Sequence, residues 1–249
     1  MSKRMIAFDL DGTLAESKQA IGKEMADLLK RLLDVAQVAV ISGGDWPQFE
    51  TQVVQQLPRG ADLAKLWILP TTGAKMYRFQ GAEWSPVYKE DFSADERDKV
   101  LTAIRDAVKE AGLTEEKTWG EQIEDRGSQI TFSGLGQEAP LDAKKAWDPD
   151  FKKRKKLQEV ASKALPNLSV KVGGSTSIDI TREGIDKAYG MRKLEEHSGV
   201  PQAEMLFMGD AIYPGGNDDA VRQAGIDVIK VRDVQDTATA VTAVIACLK

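Results

Sequence analysis

Met5-Ile6-Ala7-Phe8-Asp9-Leu10-Asp11-Gly12-Thr13 is the stretch whose reading decides the fold of this chain. Four apolar residues run directly into two carboxylates, a glycine and a threonine. A strand of Met, Ile, Ala and Phe without polar alternation predicts burial on both faces, as in a parallel sheet covered by helices on each side. In such sheets ligands bind beyond the carboxyl ends of the strands. Two aspartates one residue apart at that position repel each other unless a cation or a shared proton lies between them. Asp-Gly is also a common turn signal, so the stretch gains chemical meaning only from what the rest of the chain adds.

Downstream, Ile21, Met25, Leu28, Leu29, Leu32 and Leu33 recur at helical spacing. Val38-Ala39-Val40-Ile41 reads as a second buried strand ending in Ser42-Gly43-Gly44-Asp45, with Asp45 as N-cap and Pro47 in the first turn of the next helix. Leu66-Trp67-Ile68-Leu69 makes a third strand. Strand, helix, strand, helix, strand with short connections predicts a doubly wound parallel sheet, an α/β fold. The pattern then changes to a hairpin around Gln80-Gly81, a capping box Ser93-Ala94-Asp95-Glu96 opening a helix that stops near Gly112, and alternating strands at 122–124 and 129–132. A basic helix over 151–165 and strands over 168–172 and 177–181 follow. From Asp186 the first pattern returns: a helix from Lys187 to His197, a strand Met205-Leu206-Phe207-Met208 ending in Gly209-Asp210, a further strand over 227–231 and a last helix. We therefore expect a Rossmann-like core made of residues 1–82 and 186–249, with residues 83–185 inserted as an α+β domain.

The 249 residues carry a net charge of -5, 42% hydrophobic and 29% charged residues, the profile of a globular protein without the basic surface of a general nucleic-acid binder. No apolar run reaches membrane-spanning length and no signal-peptide h-region is recognisable, so no membrane attachment is expected. A single cysteine forms no intrachain disulfide, so a reducing cytoplasm is the expected location. With one cysteine, Cys247, and one histidine, His197, zinc sites and Ser-His or Cys-His nucleophile systems are excluded. A metal here has to be held by oxygen, which points to magnesium.

Several strand ends and one helix start thus carry groups that a single reaction can use. Asp9 can attack phosphorus and form an aspartyl-phosphate. Asp11 can protonate the leaving alcohol and later activate the incoming one. Ser42 and the N–H groups of Gly43 and Gly44 can bond phosphoryl oxygens. Lys187, opening a helix, adds an ammonium charge to the N-terminal end of a helix dipole. Asp210 can complete an oxygen-ligated magnesium site with Asp9.

In order, Asp9-Leu10-Asp11-Gly12-Thr13, Ser42, Lys187 and Gly209-Asp210 with Asn217-Asp218 resemble the four motifs of the haloacid dehalogenase (HAD) phosphotransferase superfamily, and residues 83–185 stand where its type IIB (C2) cap stands. The resemblance implies Asp9, Asp11, Ser42 and Lys187 as catalytic residues. It also implies Asp9, Asp11, Asp210 and Asp218 around Mg2+, and Asn217 with Gly43 and Gly44 at the substrate. Glu124-Asp125-Arg126-Gly127, Gly173-Gly174-Ser175-Thr176-Ser177-Ile178-Asp179 and the spaced Pro214-Gly215-Gly216-Asn217-Asp218 are further similar to eukaryotic-type phosphomannomutases. By that likeness Arg126, Ser177 and Asp179 contact a sugar phosphate, Lys144 and Gln137 stand where cap arginines of the mutases stand, and cap-to-cap homodimers are implied. Gln or Lys in place of a bidentate arginine weakens the grip on a second phosphate that a mutase needs. The expectation is a magnesium-dependent sugar-phosphate phosphatase, with a phosphomannomutase interconverting hexose 1- and 6-phosphates as the alternative. A catalytically inactive HAD-fold binding protein is the alternative from another class.

Overall fold

The computed structural model describes residues 2–114 and 117–248. β1 (Met5–Phe8) has all four side chains buried, as its unbroken apolar sequence demands. α1 (Lys23–Leu33) buries Met25, Leu28, Leu29, Leu32 and Leu33 on one face. β2 (Gln37–Ile41), α2 (Trp46–Gln52) and β3 (Leu66–Leu69) complete the first alternation, and β4 (Lys75–Gln80) and β5 (Glu83–Lys89) form the hairpin. α3 (Ala94–Ala111), β6 (Ile123–Asp125), β7 (Gln129–Ser133), α4 (Leu141–Trp147), α5 (Lys152–Ala164), β8 (Leu168–Val172) and β9 (Ser177–Arg182) follow. The chain ends with α6 (Lys187–Ser198), β10 (Met205–Gly209), α7 (Asp219–Gln223), β11 (Asp227–Lys230) and α8 (Val234–Leu248).

These elements divide into two compact units, Met1–Lys89 with Ile185–Lys249, and Glu90–Gly184. The boundary expected after residue 82 therefore moves to Lys89. The physical cause is pairing: β5 lies antiparallel to β4 from Lys75↔Lys89 to Gln80↔Glu83 and so belongs to the first unit's sheet. At the other end Ile185 is buried and counts with the first unit.

The first unit's sheet has the order β11-β10-β1-β2-β3-β4-β5. The five strands from β11 to β3 are parallel, and the hairpin strands β4 and β5 add an antiparallel edge. Alternation along β1 splits its side chains between two cores. Ile6 and Phe8 join Val38, Val40 and Met208 with the apolar faces of α1 and α8, while Met5 and Ala7 join Ala39, Ile41 and Phe207 with Met191 and Leu194 of α6. Each fully buried large side chain contributes about 1.5–3 kcal/mol, so both faces of the central strand are anchored. The chain runs from β1 outward to β2 and β3, then comes back on the other side of β1 as β10 and β11. β1 and β10 thus flank the point where strand order reverses, the place where parallel sheets open a crevice for ligands.

In the second unit β6-β7-β9-β8 form an antiparallel sheet. One face, with Ile130, Phe132, Ile178 and Ile180, packs with Val100, Ile104 and Val108 of α3 and Leu157 and Ala161 of α5. The alternate positions are polar: Gln129, Thr131, Ser133, Ser177 and Asp179. The capping box forms as expected, Ser93 Oγ accepting from Glu96 N and Glu96 accepting from Ser93 N, and Gly112 ends α3 in the left-handed conformation. α4 was not anticipated from sequence; its seven residues are too few to show a period.

Candidate active site

Register brings the expected groups to one end of the sheet. Phe8 pairs with Met208 on β10 and with Val40 on β2, so Asp9, Asp210 and Ser42 all follow directly at or just beyond adjacent strand ends. Asp9 N donates to Met208 O at 3.0 Å, extending the ladder by one residue and fixing the Asp9 backbone. Gly12 closes the loop at φ 83°, and a Cβ there would stand 2.7 Å from an Asp210 oxygen. Glycine is required at that point by conformation and by close approach alike.

Lys187 is the first residue of α6, whose N-cap Asp186 accepts from Tyr189 N at 2.8 Å. Its buried ammonium donates to Asp9 Oδ1 at 2.5 Å and to Asp218 Oδ1. Asp218 is fully buried and also accepts from Ala211 N at 3.0 Å. Asp9, Asp210 and Asp218 each offer an oxygen within 4.8 Å of the others. Burial pushes the Asp9 carboxyl up to about 7, with Lys187 pulling it down and Asp218 adding to the rise. Burial, then the Asp218 charge, likewise raises Asp210. Burial draws Lys187 down, but the two carboxylates outweigh it and hold the ammonium above its ordinary value. With all three carboxylates ionised, one ammonium leaves the cluster an excess of negative charge, a costly state where Asp9 and Asp218 are buried. An all-oxygen donor set with that excess fits a hard divalent cation.

Asp11 departs from its expected place among the metal ligands. Its Oδ1 accepts the Lys18 backbone N–H at 2.6 Å and its Oδ2 accepts Gln48 Nε2 at 3.2 Å, and its carboxylate lies outside the Asp9–Asp210–Asp218 group. The loop between β1 and α1 turns back after Gly12, with Gly12 N donating to Ala15 O, and this carries Asp11 toward α2. Asp45 occupies the N-cap position of α2 but makes no side-chain cap; its carboxylate instead pairs with Lys75 at 2.9 Å. Asn217, next to Asp218, is exposed.

Ser42 is buried, and the Ser42–Gly44 loop is braced by a segment that sequence reasoning passed over. After β3, Thr71 and Thr72 take φ of 49° and 60°, donating their N–H groups to Gly44 O at 2.8 Å and Ser42 O at 2.9 Å. Two β-branched residues in the left-handed region cost about 1–3 kcal/mol each, and such strain persists only where the surroundings over-determine it. The signal available was the breaker-rich Pro70-Thr71-Thr72-Gly73 directly after a buried strand. Gln48 was also missed; its helical position four residues before Gln52 was the available sign.

The remaining candidates lie in the second unit. Arg126 makes a two-pronged pair with Glu124, at 2.9 and 2.7 Å. Asp179 accepts from Thr131 Oγ1 at 2.7 Å, and Ser177 precedes it by two residues on the same face of β9. Burial raises the Asp179 carboxyl despite the Thr131 bond and the nearby Arg126 charge. Lys144 on α4 donates to the Gln137 carbonyl at 3.0 Å. His197 is exposed and stacks on Tyr88 with ring centroids 5.4 Å apart, and Cys247 is a free exposed thiol. No described helix is long and apolar enough to cross a membrane.

This geometry can be set beside known proteins. A family model described as haloacid dehalogenase-like hydrolase matches residues 6–218. A phosphomannomutase of Spinacia oleracea is 27% identical over 221 residues, covering 85% of this chain and 83% of its own length. Among solved structures, a haloacid dehalogenase-like hydrolase of Bacteroides thetaiotaomicron superposes with a TM-score of 0.67 at 16% identity, over 98% of this chain and 100% of the other. An IMP-nucleotidase of Plasmodium falciparum superposes with a TM-score of 0.73 at 13% identity, over 100% of this chain and 68% of the other. At such identities the structural likeness speaks for the fold alone.

Proposed function

We propose, from the premise that this chain belongs to the haloacid dehalogenase-like hydrolases, that it is a magnesium-dependent phosphatase of sugar phosphates acting through an aspartyl-phosphate on Asp9. The observation that carries the reading is the set of buried Asp9, Lys187 and Asp218 with half-buried Asp210, gathered at the carboxyl ends of β1 and β10, with Asp11 held on the same loop as Asp9. An enzyme of the phosphatase or phosphomutase type follows from the family; the choice between the two rests on the chemistry below.

Asp9, Asp210 and Asp218 would hold the cation, which when bound supplies charge neutralisation for the phosphoryl oxygens. The chain's own residues do the rest. Lys187 favours the Asp9 anion and orients it by its hydrogen bond, so that an Asp9 oxygen can attack phosphorus. That oxygen forms a bond to phosphorus while the bond to the sugar oxygen breaks, and a proton from Asp11 goes to the departing alcohol. Water then attacks the aspartyl-phosphate, Asp11 takes its proton, and inorganic phosphate leaves with Asp9 regenerated. Ser42 and the N–H groups of Gly43 and Gly44 bind phosphoryl oxygens. Asn217, Arg126, Ser177, Asp179 and Lys144 are assigned to recognition of the sugar phosphate.

The phosphatase reading is supported over the mutase by the cations of the second unit. A mutase has to hold both ends of a bisphosphate in turn. Here Arg126 is engaged two-pronged with Glu124, and Lys144 is bound to the Gln137 carbonyl. Lys144 and Gln137 stand where the mutases carry arginines, and neither offers the two-pronged grip of a guanidinium on a second phosphate, whereas water as acceptor makes no such demand. Incubation with mannose 1-phosphate, magnesium and a hexose bisphosphate primer separates the two. We expect free phosphate in proportion to substrate consumed. Accumulation of the 6-phosphate without phosphate release would establish the mutase instead.

A further inference from the structure

We propose that Gln48 is a positioning residue for Asp11 and thereby sets the enzyme's advantage on esters whose leaving oxygen must receive a proton; this rests on the phosphoryl-transfer reading above. The two oxygens of Asp11 are held from different elements. Oδ1 takes the backbone N–H of Lys18, on a loop where Lys18 has φ of 59°, and Oδ2 takes the half-buried amide of Gln48 on α2. Because Oδ2 accepts from Nε2 at 3.2 Å, the NH2 end of Gln48 is the end that faces the Asp11 carboxyl. The same Nε2 donates to Gln52 Oε1 at 3.1 Å. Residues four apart share a helix face, and Gln52 is buried, so α2 presents two amides in line toward the Asp11 loop.

Gly44 makes room for this arrangement: a Cβ at that position would collide with the Gln48 amide. The Ser42–Gly44 loop, assigned above to phosphoryl oxygens, is therefore shaped on one side by the residue that holds Asp11. A half-buried amide placed between a carboxylate and a second amide has its rotamer dictated by its partners, because leaving any of these groups unpaired is costly. With one N–H on each oxygen, the Asp11 carboxyl plane is fixed, and a lone pair remains on each oxygen for the transferred proton.

Losing the Gln48 donor releases one side of the carboxyl. In the first half-reaction the Asp9 oxygen bonds to phosphorus, the electron pair of the breaking bond goes to the ester oxygen, and that oxygen takes the Asp11 proton. An alkoxide leaving from a hexose 6-phosphate needs that proton. p-Nitrophenolate, leaving from its phosphate ester, does not. Because kcat/KM covers the steps only as far as departure of the leaving group, it isolates this half-reaction from the attack of water.

The test compares mannose 6-phosphate and p-nitrophenyl phosphate, with magnesium, for the unsubstituted protein, Gln48→Leu and the isosteric Gln48→Glu, which sets a carboxylate against a carboxylate. Positioned proton transfer contributes about 10²–10⁴-fold. We expect both variants to lose roughly tenfold or more in kcat/KM on mannose 6-phosphate and less than about threefold on the aryl ester, with thermal unfolding midpoints near that of the parent. Gln48→Leu added to Asp11→Asn should cost nothing further on mannose 6-phosphate, since Gln48 acts through Asp11. Equal losses on the two esters, no loss on either, or additive losses in the double variant would overturn the inference while leaving the phosphatase reading intact. Absence of phosphate release from both esters by the unsubstituted protein would overturn that reading, and the inference with it.

Discussion

At Asp9 burial and charge act in opposite directions. Burial alone disfavours its anion, Lys187 favours it, and Asp218 opposes it, with a net value of about 7. The consequence for stability has a definite sign. An unfolded aspartate ionises near about 4, so between about pH 4 and 7 the folded, metal-free protein binds more protons than the unfolded chain. Stability without metal therefore falls as pH rises through that window, and Asp210, raised for the same cause, adds to the slope. Denaturant unfolding with EDTA at pH 5 and pH 7.5 should show it, magnesium should stabilise more at pH 7.5 than at pH 5, and Asp9→Asn should flatten the dependence. A metal-free protein that grows more stable across the window would contradict this account. We further predict that Asp9→Asn abolishes phosphate release while the circular dichroism spectrum is retained; parent-like turnover in that variant would remove the aspartyl-phosphate. Asp210→Ala should lower the rate and raise the magnesium concentration for half-activity together, read by titrating metal against activity.

Among the elements, α5 keeps most of a charge run in solvent and withdraws one residue from it. Lys152-Lys153-Arg154-Lys155-Lys156 reads as a solvated helix face, and positive charge at a helix N-terminus opposes the helix dipole. The structure removes Arg154 from that face: its side chain is 4% exposed and pairs with the buried Asp148, Nε to Oδ2 at 2.8 Å. Asp148 also accepts the N–H groups of Lys153 at 3.0 Å and Arg154 at 3.1 Å, so one carboxylate caps the helix and neutralises the guanidinium. Arg154 donates in turn to the Gly174 carbonyl, tying α5 to the loop before β9. Removing one partner of a buried pair costs about 3–5 kcal/mol, so Asp148→Ala should lower unfolding free energy by that order in urea titration. A loss below about 1 kcal/mol, the scale of exposed pairs, would show that the pair is solvated. Ser93→Ala, at the capping box of α3, should cost about 1 kcal/mol in the same assay.

For the whole molecule, the two units have separate cores. Leu29 belongs to the first unit's core with Phe8 and Val241, and Leu157 to the second unit's core with Ile104 and Phe132. Tryptophans 46, 67 and 84 report on the first unit, and 119 and 147 on the second. Truncating a buried Leu to Ala costs about 2–5 kcal/mol. We predict that Leu157→Ala shifts the urea transition seen by hydrogen exchange within Glu90–Gly184 and leaves protection of β1 and β10 near that of the parent, with Leu29→Ala doing the reverse. Equal shifts in both units for either variant would show a single cooperative unit.

Local sequence determined the strands and the chemistry at their ends. Short apolar runs bounded by turn signals, such as Met5–Phe8 and Met205–Met208, read as buried strands by their length and flanks, and a carboxylate directly after such a strand lies at the sheet's carboxyl end. Asp9, Ser42, Lys187 and Asp210 were legible for that reason, because each stands next to a strong one-dimensional signal. What pairs with what was left to tertiary structure. Asp11 went to Lys18 and Gln48 instead of the carboxylate group, Asp45 to Lys75, Arg154 to Asp148 and β5 to the first unit's sheet. In each case the deciding partner lies on another turn, helix or strand. A polar side chain's role is set by which donor or acceptor the packed fold brings within about 3 Å, and spacing along the chain does not carry that distance.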